Sequence, residues 1–183
     1  MSPPRSSADL PSAPNDSGAP VVLGLGNRAG GDDSVGLRIV EKLASHGVGA
    51  IAVTSGAALI DALMTVRKAI IADAVIGPFP VGTVVYFDGP ELFAHVGRMS
   101  ASSHSIPVGQ AVKIAHVLGG AQDVQFVGVA IGNELAKMTS SSELSGPVEL
   151  AVHEAALRIA ALVKRAANPL GADATGTLPS GSG

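Results

Sequence analysis

The sequence predicts a doubly wound α/β sandwich around a mostly parallel sheet, and three observations carry that prediction. Short apolar runs that read as strands alternate with stretches of helical periodicity, the pattern of a parallel sheet covered by helices on both faces. The first strand, Val21 to Leu25, is apolar without interruption, as expected where both of its faces are buried. It breaks at Gly24 and Gly26, passes through a glycine-rich turn and reaches two adjacent carboxylates, Asp32 and Asp33, where a new helical periodicity begins.

The elements follow in order. Residues 1–20 hold Pro3, Pro4, Pro11, Pro14 and Pro20 among small polar residues and cannot bury enough apolar surface to order themselves, so a flexible tail is expected. Gly36, Ile39, Val40 and Leu43 recur at helical spacing and predict a helix from about Ser34 to His46, with Gly47 and Gly49 at its exit. Ala50 to Val53 reads as a second strand, and Leu59, Ala62, Leu63 and Val66 line one face of a second helix. Lys68 to Val75 is an apolar strand interrupted by a single acid, Asp73. After the Gly77-Pro78-Phe79-Pro80 turn, Val81 to Phe87 predicts a further strand whose short spacing suggests antiparallel pairing. A helix starts near Pro107, a favoured first-turn residue, with Val108, Ala111, Val112 and Ala115 inward. Val124 to Ala130 is the last central strand, and a long polar connection from Gly132 to Gly146 leads to a final helix marked by Val148, Ala151, Val152, Ala155, Ile159 and Leu162. One domain over 21–166 is therefore expected between two flexible tails, 1–20 and 167–183.

Composition narrows the function. The chain of 183 residues carries 12 Lys and Arg against 15 Asp and Glu, net −3, with no basic cluster, which argues against nucleic acid or an anionic membrane as partner. No cysteine is present, so disulfides, thiolate ligands and a cysteine nucleophile are excluded together, in keeping with a cytoplasmic protein. No stretch approaches the length of a membrane span.

The predicted architecture locates the chemistry, because ligands of open α/β sheets lie outside the carboxyl ends of the strands. Asp32 and Asp33 follow the first strand, Asp73 lies near the end of an internal one, and His104 sits in a serine-rich loop before a helix, so all can reach one edge. Carboxylates with an imidazole suit a divalent transition ion such as zinc or nickel and leave positions open for water or substrate. Plainer readings exist for each residue. Asp32 and Asp33 also complement the macrodipole of the following helix, His104 alone reads as an exposed loop residue, and Asn27 suits a turn. Asp73 resists such a reading, since an ionised carboxylate in an apolar strand is costly unless paired or metal-bound. Gly24-Leu25-Gly26-Asn27-Arg28-Ala29 formally matches a dinucleotide-binding turn, but the acid expected after the second strand is missing and two aspartates stand where a pyrophosphate would lie.

The run Leu23-Gly24-Leu25-Gly26-Asn27, then Asp32-Asp33 with Gly36 and Val40 beyond, resembles the opening signature of the hydrogenase maturation proteases. The resemblance continues through Ile70-Ile71-Ala72-Asp73-Ala74, His104 before a helix, and Phe126-Val127-Gly128-Val129. It implies a three-layer α/β/α sandwich and an endopeptidase that removes the C-terminal extension of a nickel-iron hydrogenase large-subunit precursor after nickel insertion. Carried over, the metal-contacting residues are Asp33, Asp73 and His104, with Gly26, Asn27 and Asp32 supporting, and the nickel is presented by the precursor. A monomer is expected. The family's acidic double-glycine segment falls by gapless counting on Ile51-Ala52-Val53, where the acid is absent, and the connection from Gly132 lacks the family's usual proline. A non-catalytic assembly factor or metallochaperone with the same metal site is therefore the alternative, with a dinucleotide-binding module behind it.

Overall fold

A computed structural model describes residues 18–27, 31–89, 91–92, 106–132 and 143–168. The expected tails fall outside these residues except at 18–20 and 167–168, as do His95, His104 and most of the connection between Gly132 and Gly146.

Five strands form one sheet: β1 (Val21–Leu25), β2 (Ala50–Val53), β3 (Lys68–Val75), β4 (Val84–Asp88) and β5 (Asp123–Ala130), in the order β2-β1-β3-β5-β4. All neighbours pair in parallel except β4, which runs antiparallel to β5 at the edge. Among the described residues the longer helices are α1 (Val35–Ser45), α2 (Gly56–Met64), α3 (Val108–Val117) and α4 (Gly146–Ala167). The sequence alternates apolar side chains to the two sheet faces, and each face is covered by its own helix pair. Leu23, Leu25, Ile71 and Val75 pack with Leu59 and Leu63 of α2 and Ala111, Val112 and Ala115 of α3. Val22, Ile70, Ala72 and Ala74 pack on the opposite side with Ile39 and Leu43 of α1 and Ala151, Val152, Ala155, Ala156, Ile159 and Ala160 of α4. The result is a three-layer α/β/α sandwich around a mostly parallel sheet.

Several boundaries differ from the sequence reading. The first helix does not begin at Ser34, because Gly31–Ser34 winds as a 3-10 turn and the Ser34 hydroxyl donates back to the Gly31 carbonyl at 2.6 Å. Residues 81 and 82 belong to a turn, held by Thr83 N–H to Pro80 and Gly82 N–H to Ala130, so β4 starts only at Val84. Pro107 stands one position earlier than expected, as the N-cap of α3. The final helix also extends through Ala167, one residue into the expected C-terminal tail.

The position of α1 depends on glycine at both sides of its contact with the sheet. A Cβ on Gly36 would overlap the backbone of Leu25 and Ala72, and one on Gly24 would overlap Gly36 and Val40. Helix α1 thus rests on the backbones of β1 and β3 with no side chain between them. An alanine in a helix interior is ordinarily stabilising by up to about 1 kcal/mol relative to glycine. Gly36→Ala is expected to reverse that sign and cost about 1–3 kcal/mol, because the helix must lift off the sheet. Urea unfolding checks this, and an unchanged or raised midpoint would refute the backbone contact.

Candidate active site

The strand order reverses between β1 and β3, since β2 lies on one side of β1 and β3 on the other. Such a switch point opens a crevice at the carboxyl ends of the two strands. Asp33 and Asp73 come from the segments that flank it. The register aligns Gly24 of β1 with Ala72 of β3, so β1 ends close to the level of Asp73 while β3 continues to Val75. Asp73 shares its strand parity with Ile71 and Val75, whose side chains lie in the layer of α2 and α3.

Asp73 is 2% exposed, and its Oδ1 accepts from the Ala74 N–H at 2.8 Å. Burial raises its pKa to about 7; the Ala74 bond opposes the rise, and the negative charge of Asp33 adds to it. The two carboxyls therefore interact electrostatically across the switch point. Asp33 is half-buried in the 3-10 turn, and the backbone of that turn is tied to the exit of β1: the Asn27 N–H donates to the Asp33 carbonyl at 3.1 Å. A Cβ at Gly26 would come within 2.7 Å of the same carbonyl oxygen. Gly26 and Asn27 thus fix the backbone that carries Asp33. The close approaches at Gly24 and Gly26 are filled by the chain itself, which removes the main support for reading this turn as a dinucleotide cradle.

Asp32, also 2% exposed, has a different partner. Its Oδ1 accepts from the Ser145 N–H at 2.7 Å and its Oδ2 from the Ser145 hydroxyl at 2.8 Å. Ser145 is the N-cap of α4 and stands 113 residues away in sequence. Sequence reasoning did not find Ser145, since its only local signal, a serine before Gly146-Pro147, points to an ordinary helix start.

His104 lies outside the described residues. The first described residue after it, Ile106, packs against the first turn of α2: a Cβ on Gly56 would overlap the Ile106 carbonyl oxygen and lie 2.7 Å from its Cβ. That turn follows β2, at the same sheet edge and on the same side of the sheet as Asp73. Among the described residues no group of three His, Cys, Asp or Glu side chains forms a metal cluster. Ile51-Ala52-Val53, where the family's acidic segment was sought, lies within β2, and the Ser55 hydroxyl that follows is used to cap α2 by accepting from Ala58 N–H at 3.1 Å. Exposed His116 and His153 lie on helix surfaces, and His46 is the C-cap of α1.

Solved structures that share the fold include hydrogenase maturation proteases. HybD from Thermococcus kodakarensis matches with a TM-score of 0.64 at 24% identity, covering 79% of this chain and 99% of that one. The hydrogenase maturating endopeptidase HybD from E. coli matches with a TM-score of 0.67 at 22% identity, covering 80% and 93%. A hydrogenase 2 maturation peptidase from a Thaumarchaeota archaeon is 27% identical with a TM-score of 0.54, covering 77% and 95%. Comparison with curated protein sequences gives no match. The sequence profile of the family described as hydrogenase maturation protease matches residues 38–162, well over half of the chain and downstream of the turn that carries Asp32 and Asp33. By that match the chain belongs to the hydrogenase maturation protease family, and it is a peptidase.

Proposed function

We propose that this peptidase removes the C-terminal extension of a nickel-iron hydrogenase large-subunit precursor once nickel has been inserted, acting as a monomer in the cytoplasm. Asp33, Asp73 and His104 are its metal-contacting residues, and the nickel belongs to the substrate. The observation that carries this reading is the pair of carboxyls at the β1–β3 switch point. Burial and the neighbouring charge of Asp33 raise the affinity of Asp73 for a proton, and the same two features favour a divalent cation in the proton's place. Nickel in the precursor would supply positive charge able to polarise a carbonyl or activate water. Alternatively, if nickel merely anchors the precursor and does not bind Asp73, the pKa of about 7 would match that carboxyl to take a proton from water near neutral pH. Among the described residues no helix is long and apolar enough to cross a membrane.

The reading is tested by mixing the protein with nickel-loaded and nickel-free precursor and following mass. Loss of a C-terminal peptide from the nickel-loaded form alone is expected, and Asp33→Asn and His104→Ala should each reduce it at least 100-fold, an order of magnitude typical for loss of a general acid or base. Equal cleavage of both forms, or full processing by both variants, would overturn it. Binding without cleavage would favour the assembly factor, which the absence of an acid at Ile51-Ala52-Val53 keeps in view.

The metal-free protein should also show the linkage of Asp73 to stability. Its folded pKa is about 7 against an ordinary aspartate value of 3.8, so between these values the folded state holds a proton that the unfolded state has released. Stability from this group is fully present below about pH 4 and is lost as pH rises through about 7. Relative to Asp73→Asn, the parent protein should therefore lose on the order of 4 kcal/mol between pH 4 and pH 8. Urea unfolding of both proteins at several pH values gives the difference directly; a difference independent of pH would show that Asp73 titrates as an ordinary carboxyl.

A further inference from the structure

We propose that Asp32 is a positioning residue of the peptidase site: its bidentate contact with Ser145 locks the 3-10 turn against the start of α4 and thereby fixes the direction in which Asp33 faces Asp73. The inference rests on the reading of Asp33 and Asp73 as site residues.

Asp32 is costly to bury, and it is buried for the sake of one partner. A carboxylate removed from water is tolerated only when its oxygens are satisfied, and here Ser145 satisfies both, through its N–H and its hydroxyl. Two bonds to one residue fix the rotation of the carboxylate as well as its distance. The partner gives up its usual duty to do so. An N-cap serine ordinarily accepts from the amide of the second or third helical residue, but Ser145 makes no such bond, and the second helical residue is Pro147, which has no N–H to offer. The carboxylate instead brings negative charge to the positive end of the 22-residue helix α4.

The anchor itself does not move easily. Val148, Ala151 and Val152 of the first turns are buried in the core, and the backbone of Gly82 packs directly against Pro147. Within the turn, the Ser34 hydroxyl donates to the Gly31 carbonyl and the Asn27 N–H to the Asp33 carbonyl, bonds between near neighbours in sequence. Contact with Ser145 joins the turn to a helix far along the chain. Successive side chains of a 3-10 turn project about 120° apart, so a rotation that released Asp32 would swing Asp33 with it.

The test compares Asp32→Ala, Ser145→Ala, Ser145→Thr and the Asp32→Ala/Ser145→Ala double variant on the nickel-loaded precursor, with kcat and KM referred to folded protein well below each melting temperature. Asp32→Ala should lower kcat at least 10-fold with KM within two-fold of the parent. Ser145→Ala, the milder change, should lower kcat about three-fold or more, Ser145→Thr should restore it, and the double variant should be no slower than Asp32→Ala. A purely structural contact would lower melting temperature and leave kcat per folded molecule within two-fold, and that result would overturn the proposal, as would losses that multiply in the double variant. Should Asp32→Ala not fold, the Ser145 pair decides alone: full kcat in Ser145→Ala, or no rescue by threonine, refutes the clamp. Asp33→Asn serves as the reference. If it too retains full kcat, the site reading has failed; if it is inactive while the Asp32 and Ser145 variants are not, only the positioning role has failed.

Discussion

Backbone contact between α1 and the centre of the sheet is the constraint on which the rest of this structure depends. Gly24 and Gly36 let the helix descend onto β1 and β3 until main chain meets main chain. The turn that precedes α1 is drawn down with it, to the crevice where the strand order reverses. A side chain at either glycine would raise the helix and carry both aspartates away from the strand ends. The glycines of the opening motif therefore serve the protein's own packing, and the electrostatics of the site follow from that packing.

Two adjacent acids at this place have different surroundings. Asp32 is directed into the interior and joined to the start of α4, whereas Asp33 is half-buried and its charge reaches Asp73. In a 3-10 turn neighbouring residues cannot face the same way, so one acid meets a helix and the other the middle strand. Asp73 completes the arrangement from the middle strand, where an apolar environment makes ionisation costly.

Much of this was legible in the sequence. The bounds of β2 and β3 could be read to the residue, because β2 is an apolar run between Gly49 and Thr54 and β3 an apolar run opening at Lys68 and ending just before Ile76-Gly77-Pro78, and a lone acid within β3 stood out for its expected cost. The burial of Ile39, Leu43, Leu59, Leu63, Val112 and Ile159 follows from their helical spacing. What could not be read was non-local. The pairing of Asp32 with Ser145 spans 113 residues, and nothing in the neighbourhood of either residue announces the other. The 3-10 turn was hidden for a related reason: serine before an apolar periodicity is a usual helix start, and only the three-dimensional placement of Gly31 turns its hydroxyl backward. The family profile, beginning at residue 38, likewise leaves the opening turn to be judged on its own residues.

Both helical layers are packed with branched side chains and alanines alike, but they do not meet the sheet in the same way. Helices α2 and α3 pack on it through Leu23, Leu25, Leu59, Leu63 and Phe126, side chains that can repack. Helix α1 meets β1 and β3 through Gly24 and Gly36, which have no rotamers to exchange. Asp33 is carried by the turn that leads into that contact, so its position answers to the main chain and not to how the core side chains settle.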